Sequence, residues 1–274
     1  MKRVVMIALI GLTMIGLFAA NQTQLLAKSS PTSIGSSEAA AETMGTASQL
    51  YEKGQFSQAA QAYQQLADQG FSDSSLFYNL GNAHFKQGDY GRAIVNYRRA
   101  QGLAPRDADI KANLALARAQ AVDEFEAAEN GGALSLVGQS VKSGFSLDEV
   151  AMAALGAWIL FVLLIIVIST ARAGSAWRKS LQYGLAATAL VLVVGVLAMG
   201  SYLYVDHNQA EGVIVATEVD VTSGPGTQYV AEFTLHDGAE VQVVEAWGSW
   251  VRLALPGGEL EGWVPAESIE PVTG

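Results

Sequence analysis

Cysteine is absent from all 274 residues, so disulfide staples, thiolate metal sites, a cysteine nucleophile and a lipid-modified N-terminal cysteine are excluded. Histidine is scarce. His84, His207 and His236 stand far apart, one in each region of the chain, and give no local support for a catalytic triad or a metal cluster. No Walker phosphate loop, no GxSxG and no HExxH occurs. Acids are plentiful but scattered, as on any solvated acidic surface. The expectation is a non-enzyme with no cofactor and no metal. Bases are almost missing from the C-terminal stretch: from residue 205 to 274, twelve acids face a single base, Arg252. A surface of that sign repels polyanions, whose binding needs Lys and Arg to displace counterions, so no nucleic-acid partner is expected.

Charge is also missing from three long apolar runs. Residues 1–27 place Lys2 and Arg3 before an apolar stretch, the pattern of a secretory signal peptide cleaved after Ala19 or Ala27, or of an uncleaved signal anchor. Residues 151–170 and 180–205 contain no charge, and each is long enough as a helix to cross a bilayer. Residues 171–179 join them, carrying Arg172, Arg178 and Lys179 and no acid. Short basic loops stay in the cytoplasm, so this pattern predicts a transmembrane hairpin in the cytoplasmic membrane with its tip inside. Both flanking soluble parts then lie outside, in agreement with the signal segment.

Residues 28–45, rich in Ser, Ala and Thr, are expected to be a flexible linker. Beyond them a period of about 34 residues emerges. Gly88, Tyr90, Ala93 and Tyr97 fall on Gly54, Phe56, Ala59 and Tyr63. With Phe77, Leu80, Gly81, Ala100 and Pro105, the string LFYNLGNAHFKQGDYGRAIVNYRRAQGLAP resembles the tetratricopeptide repeat. Small Gly81 and Ala93 would let two antiparallel helices approach, while Gly88 and Pro105 would end them. Thr43, Thr46 and Ala47 make the first repeat degenerate. A helix beginning at Asp107 and running to about Glu129 would close an array spanning residues 46–129. The resemblance implies an inner groove lined by first helices, here Tyr78, Asn79, Asn82, Phe85, Lys86 and Asn113. Their amides and ammonium suit a peptide backbone or a terminal carboxylate. The alternative is that they are ordinary exposed helix residues. His84 reads as packing rather than as a ligand.

Residues 130–150 form a connection to the first span. Within it Leu134, Val137, Val141 and Phe145 recur at helical spacing, which fits either a helix on the membrane surface or a plain linker. After the second span the period becomes alternating: Val213 and Val215, Val219 and Val221, Val241 and Val243, then Val251, Leu253 and Leu255. Gly- and Pro-rich turns separate these pairs, so five or six short strands should form a small closed barrel over residues 212–272. VDVTSGPGTQY, LHDGAEVQVVEAWGSWVRL and GWVP resemble the bacterial SH3-like (SH3b) domain. Tyr229, Trp247, Trp250 and Trp263 are its candidate binding face, with core packing as the alternative for Trp250 and Trp263.

The expected whole is multi-domain: an all-α tetratricopeptide array, a two-helix transmembrane hairpin and a small all-β SH3-like barrel. That order of parts resembles the BatE-type proteins of the Bat aerotolerance system. The resemblance implies a membrane-anchored scaffold whose partners are von Willebrand A-domain membrane proteins, with cytoplasmic MoxR-type AAA ATPases acting on the complex. Peptidoglycan held by the SH3-like domain is the alternative.

Overall fold

A computed structural model describes residues 34–123, 133–170, 176–208, 211–256 and 260–272. The signal segment expected at residues 1–27 lies outside the described residues. The chain divides into two compact units. One joins residues 37–146 with 201–274; the other contains the long apolar helices from 147 to 200.

In the first unit, five helices follow one another: α1 (Ile34–Glu52), α2 (Phe56–Asp68), α3 (Ser74–Gln87), α4 (Tyr90–Leu103) and α5 (Ala108–Arg118). The punctuation repeats with the period of the sequence. Gly54 and Gly88 both take left-handed backbone angles, φ 75° and 78°, which only glycine adopts without strain. Asp73 and Asp107 cap α3 and α5, each accepting from the backbone N–H two residues on. Helix pairs interlock the same way in both repeats. Tyr63 and Ser48 share a hydrogen bond of 3.0 Å, and Tyr97 donates to Asn82 over 2.7 Å at the equivalent place. Beneath these tyrosines stand the small residues Ala47, fully buried, and Gly81, where a Cβ would come within 2.7 Å of the Tyr97 ring. The first repeat is therefore degenerate in sequence and regular in packing.

Two expectations are corrected here. The stretch read as a linker over residues 28–45 is helical from Ile34, because its alanines favour a helix once Ala47 has a partner surface. The helix expected to reach Glu129 ends at Arg118. There the chain turns, and the Asp123 carboxylate accepts from the His236 backbone N–H at 2.6 Å.

Helix α6 (Ala133–Gly144) also belongs to this unit. The second unit holds α7 (Leu147–Thr170) and most of α8, which runs Ala176–Asn208. The most apolar 18-residue stretches within Leu147–Thr170 and Trp177–Leu203 have mean hydropathies of 2.9 and 2.1, and each helix is long enough to cross a membrane. Small residues line their approach: Gly184 faces Leu164, and Gly195 faces Ala154 in the antiparallel register.

Among the described residues of the first unit, seven strands follow: β1 (Glu211–Ile214), β2 (Glu218–Thr222), β3 (Ala231–His236), β4 (Glu240–Trp247), β5 (Trp250–Ala254), β6 (Glu261–Pro265) and β7 (Ile269–Pro271). All pairings are antiparallel, in the order β3-β2-β6-β5-β4-β1-β7. One aliphatic cluster draws on every strand, including Ile214, Val221, Leu235, Val241, Leu253, Val264 and Ile269, so the sheet coils around a single core. The count exceeds the five or six expected. β7 is three residues long and cannot show alternation, so the pattern did not reveal it.

Candidate functional site

Helices α3 and α5 present the predicted groove positions. Tyr78, Asn82 and Asn113 are brought into one hydrogen-bonded cluster. Asn113 Nδ2 donates to Asn82 Oδ1 at 2.9 Å and to the Tyr78 hydroxyl at 3.0 Å. Tyr97, from α4, donates to the same Asn82 oxygen at 2.7 Å. Burial raises the Tyr97 hydroxyl well above the usual phenol range, so it stays a neutral donor. The cluster thus consumes one side of each amide. Among the described residues, Asn82 Nδ2 and Asn113 Oδ1 make no hydrogen bond, and a donor and an acceptor remain for a ligand.

The other groove candidates fall around this cluster. Asn79 is half-buried, and Lys86 is exposed one turn beyond Asn82. Phe85 packs edge-on against Tyr90 with ring centroids 5.6 Å apart, across the α3–α4 contact. His84 also packs, its Nδ1 lying 3.3 Å from Asp89 Oδ2. Burial alone would raise the Asp89 carboxyl, but the adjacent His84 ring and the hydrogen bonds from Arg92 hold it below its ordinary value.

On the sheet, cross-strand register defines the second candidate surface. Trp247 pairs with Trp250, Trp250 with Pro265, and Arg252 with Trp263. Alternate residues of a strand share a face, so Trp247, Trp250, Arg252 and Trp263 all point away from the aliphatic core. Trp247 is 65% exposed, and Trp250 and Trp263 are half-buried. Core packing, the alternative for Trp250 and Trp263, does not describe them: neither joins the buried cluster. Arg252 bridges Glu245 at 2.9 Å and Glu261 at 3.2 Å within this face. Tyr229 sits in the β2–β3 turn against Gly224.

The sequence did not reveal how the repeats and the sheet join. They pack as one body. Val213 of β1 is fully buried in a cluster with Ile94, Tyr97, Leu114 and Ala117. Asp237 lies across the N-terminus of α4, accepting from the backbone N–H groups of Tyr90 at 2.9 Å and Gly91 at 3.1 Å. This position suits an anion, since the first amides of a helix lack internal partners. Desolvation nevertheless raises the Asp237 carboxyl, with those two amides opposing. Around the contact, Arg98 pairs with Glu211, Arg99 with Glu270 at 2.9 Å, and Arg118 with Glu240. Part of the C-terminal acid excess is therefore matched by arginines of α4 and α5. The available signal was the cluster Arg92, Arg98, Arg99 and Arg118, whose sign opposes that of the sheet.

The tetratricopeptide-repeat family profile matches residues 74–107, which cover α3, α4 and the turn after them. Repeats of this family are protein-interaction modules without catalytic groups of their own. No curated protein matches the chain.

Proposed function

We propose that this protein is a membrane-tethered, non-enzymatic adaptor that holds an extended segment of a partner protein in the α3–α5 groove. The observation that carries this reading is the half-used pair Asn82 and Asn113. Their internal bonds fix both side chains, while one amide N–H₂ and one carbonyl stay open, as recognition of a peptide backbone requires. Lys86 adds a cation for an acidic side chain or a terminal carboxylate. Lys86 is exposed and Asn79, Asn82 and Asn113 are partly exposed, which supports access to this side of the helices.

The reading extends to sidedness. The flanks of the two apolar helices, residues 37–146 and 201–274, belong to one folded unit, which favours both flanks lying on one face of the bilayer. Arg172, Arg178 and Lys179 favour the cytoplasm for the connection, leaving the folded unit outside. Order of parts supports a BatE-type assignment with an SH3-like sheet domain, and hence von Willebrand A-domain membrane proteins as partners.

The test is affinity recovery of partners from solubilised membranes with an Asn79→Ala/Lys86→Ala double variant. Neither side chain takes part in the internal cluster, so the array should stay folded. Loss of a von Willebrand A-domain partner supports the groove. Undiminished recovery from a folded variant removes it from the account.

A second reading rests on the tryptophan face. Trp247, Trp250 and Trp263 on one side of the sheet offer rigid apolar area for a sugar ring or peptide, and an envelope anchor on peptidoglycan would use it. Cosedimentation of the protein with purified sacculi, compared with a Trp247→Ala variant, separates it from the first.

A further inference from the structure

Helix α6 has an unpartnered apolar side. Leu136 and Val137 are about half exposed, as is Phe145 just beyond the helix end. With Ser140 and Val141 they line a surface groove of about 320 Å³. Exposed Gln139 lies on the other side of the helix from Val137. An apolar side of this kind in water is costly, at about 25 cal/mol per Å² left uncovered.

Two constraints fix where along the chain's path this side lies. First, only Phe145 and Ser146 separate α6 from α7, which opens with Asp148 and Glu149 and then carries no charge to its end at Thr170. Second, α6 packs on the C-terminal turns of α8. A Cβ on Gly138 would stand 2.6 Å from Val205 Cγ2, so the glycine allows a contact that any side chain would prevent. Ser201 and Val205 belong to the last turn and a half of the uncharged run, which Asp206 terminates. The end of the α8 run thus packs on α6, and the α7 run follows α6 in the chain after two residues. Cations stand at its margins: Lys142 Nζ lies 6.0 Å from the Tyr202 ring centroid, and the Arg106 guanidinium lies 5.6 Å from that of Phe145.

We infer that α6 is an interfacial helix whose Leu136–Val137–Val141–Phe145 side is covered by the phospholipid bilayer at the level of the glycerol and first acyl carbons. This rests on the reading of α7 and α8 as membrane spans. It gives the chain a third membrane contact beside the two spans.

The natural absence of cysteine makes the test direct. Single variants Val137→Cys, Gln139→Cys and Leu163→Cys of the full chain are labelled with an environment-sensitive fluorophore. They are then reconstituted in vesicles of phosphatidylglycerol and phosphatidylethanolamine containing a lipid-borne quencher. The label at 137 should be blue-shifted and quenched severalfold more strongly than that at 139, with 163 quenched as a span must be. A quenched 163 with a water-exposed 137 overturns the inference and leaves the spans intact. A label at 137 shielded from both lipid and aqueous quenchers also overturns it, because protein then covers the face. An unquenched 163 removes the spans and the inference together.

Discussion

A side chain on Gly91 would collide with the carbonyl oxygen of Ile214. Gly91 opens α4 in the repeats and Ile214 closes β1 of the sheet, so the missing Cβ sets how closely the two modules can join. The same glycine donates its N–H to Asp237. Replacing it by Ala should therefore act on the joint rather than inside either module. Overpacking of this kind costs about 1–3 kcal/mol. Hydrogen exchange should show lost protection in β1 and α4 for Gly91→Ala, while the amides of α2 and β5 remain protected.

Within the repeats, Gly81→Ala tests the interlock. Its Cβ would meet the Tyr97 ring at 2.7 Å and the Ala93 carbonyl oxygen at 3.3 Å. The ring is pinned by its bond to Asn82 and cannot simply swing away. A loss of about 1–3 kcal/mol in urea unfolding is expected. Tyr97→Phe should cost about 1 kcal/mol and leave Asn82 free to reorient, which weakens partner binding as well as stability.

Asp89 governs an acid-side response. Its carboxylate caps α4, accepting from the Arg92 N–H at 3.2 Å and the Arg92 side chain at 2.9 Å. Since its folded value lies below the ordinary 3.8, the stability it supplies is fully present above that value. That contribution is lost as pH falls through the lower folded value. Asp89→Asn should flatten the loss of stability below about pH 4 and cost about 1 kcal/mol at neutral pH. Urea titrations of both proteins across pH 2.5 to 7, about the range in which carboxylates titrate, check the sign.

Trp247→Ala should leave stability within about 0.5 kcal/mol of the original, because the ring is largely exposed and outside the core. Leu253→Ala, at a fully buried position of the same hairpin, should cost about 2–5 kcal/mol. A Trp247→Ala variant that melts as readily as Leu253→Ala would show that the tryptophan face packs against something essential.

Much of the architecture was legible because period carries it. Gly88 and Tyr97 recurred at Gly54 and Tyr63, the uncharged runs had bilayer length, and the paired valines alternated. Three features were not legible for physical reasons. Helix α5 ends at Arg118, and Asp123 beyond it accepts from the His236 backbone, a tertiary contact that local propensity does not record. The half-occupied state of Asn82 depends on Asn113 and Tyr97, each from a different helix. The joint depends on Gly91, and a glycine near a helix start gives no sign of what approaches it. Of the predicted groove positions, Tyr78, Asn82 and Asn113 form a cluster, Asn79 and Lys86 flank it, and Phe85 meets Tyr90 across α3 and α4.

The central claim is that the α3–α5 groove holds a protein partner outside the cytoplasm. Its most direct test places a photo-crosslinking residue at position 86 and, separately, at position 247, in cells with intact membranes. The account predicts that position 86 captures a membrane protein carrying a von Willebrand A domain. Capture of wall fragments at position 247, with nothing at position 86, would contradict it and make the tryptophan face the working surface.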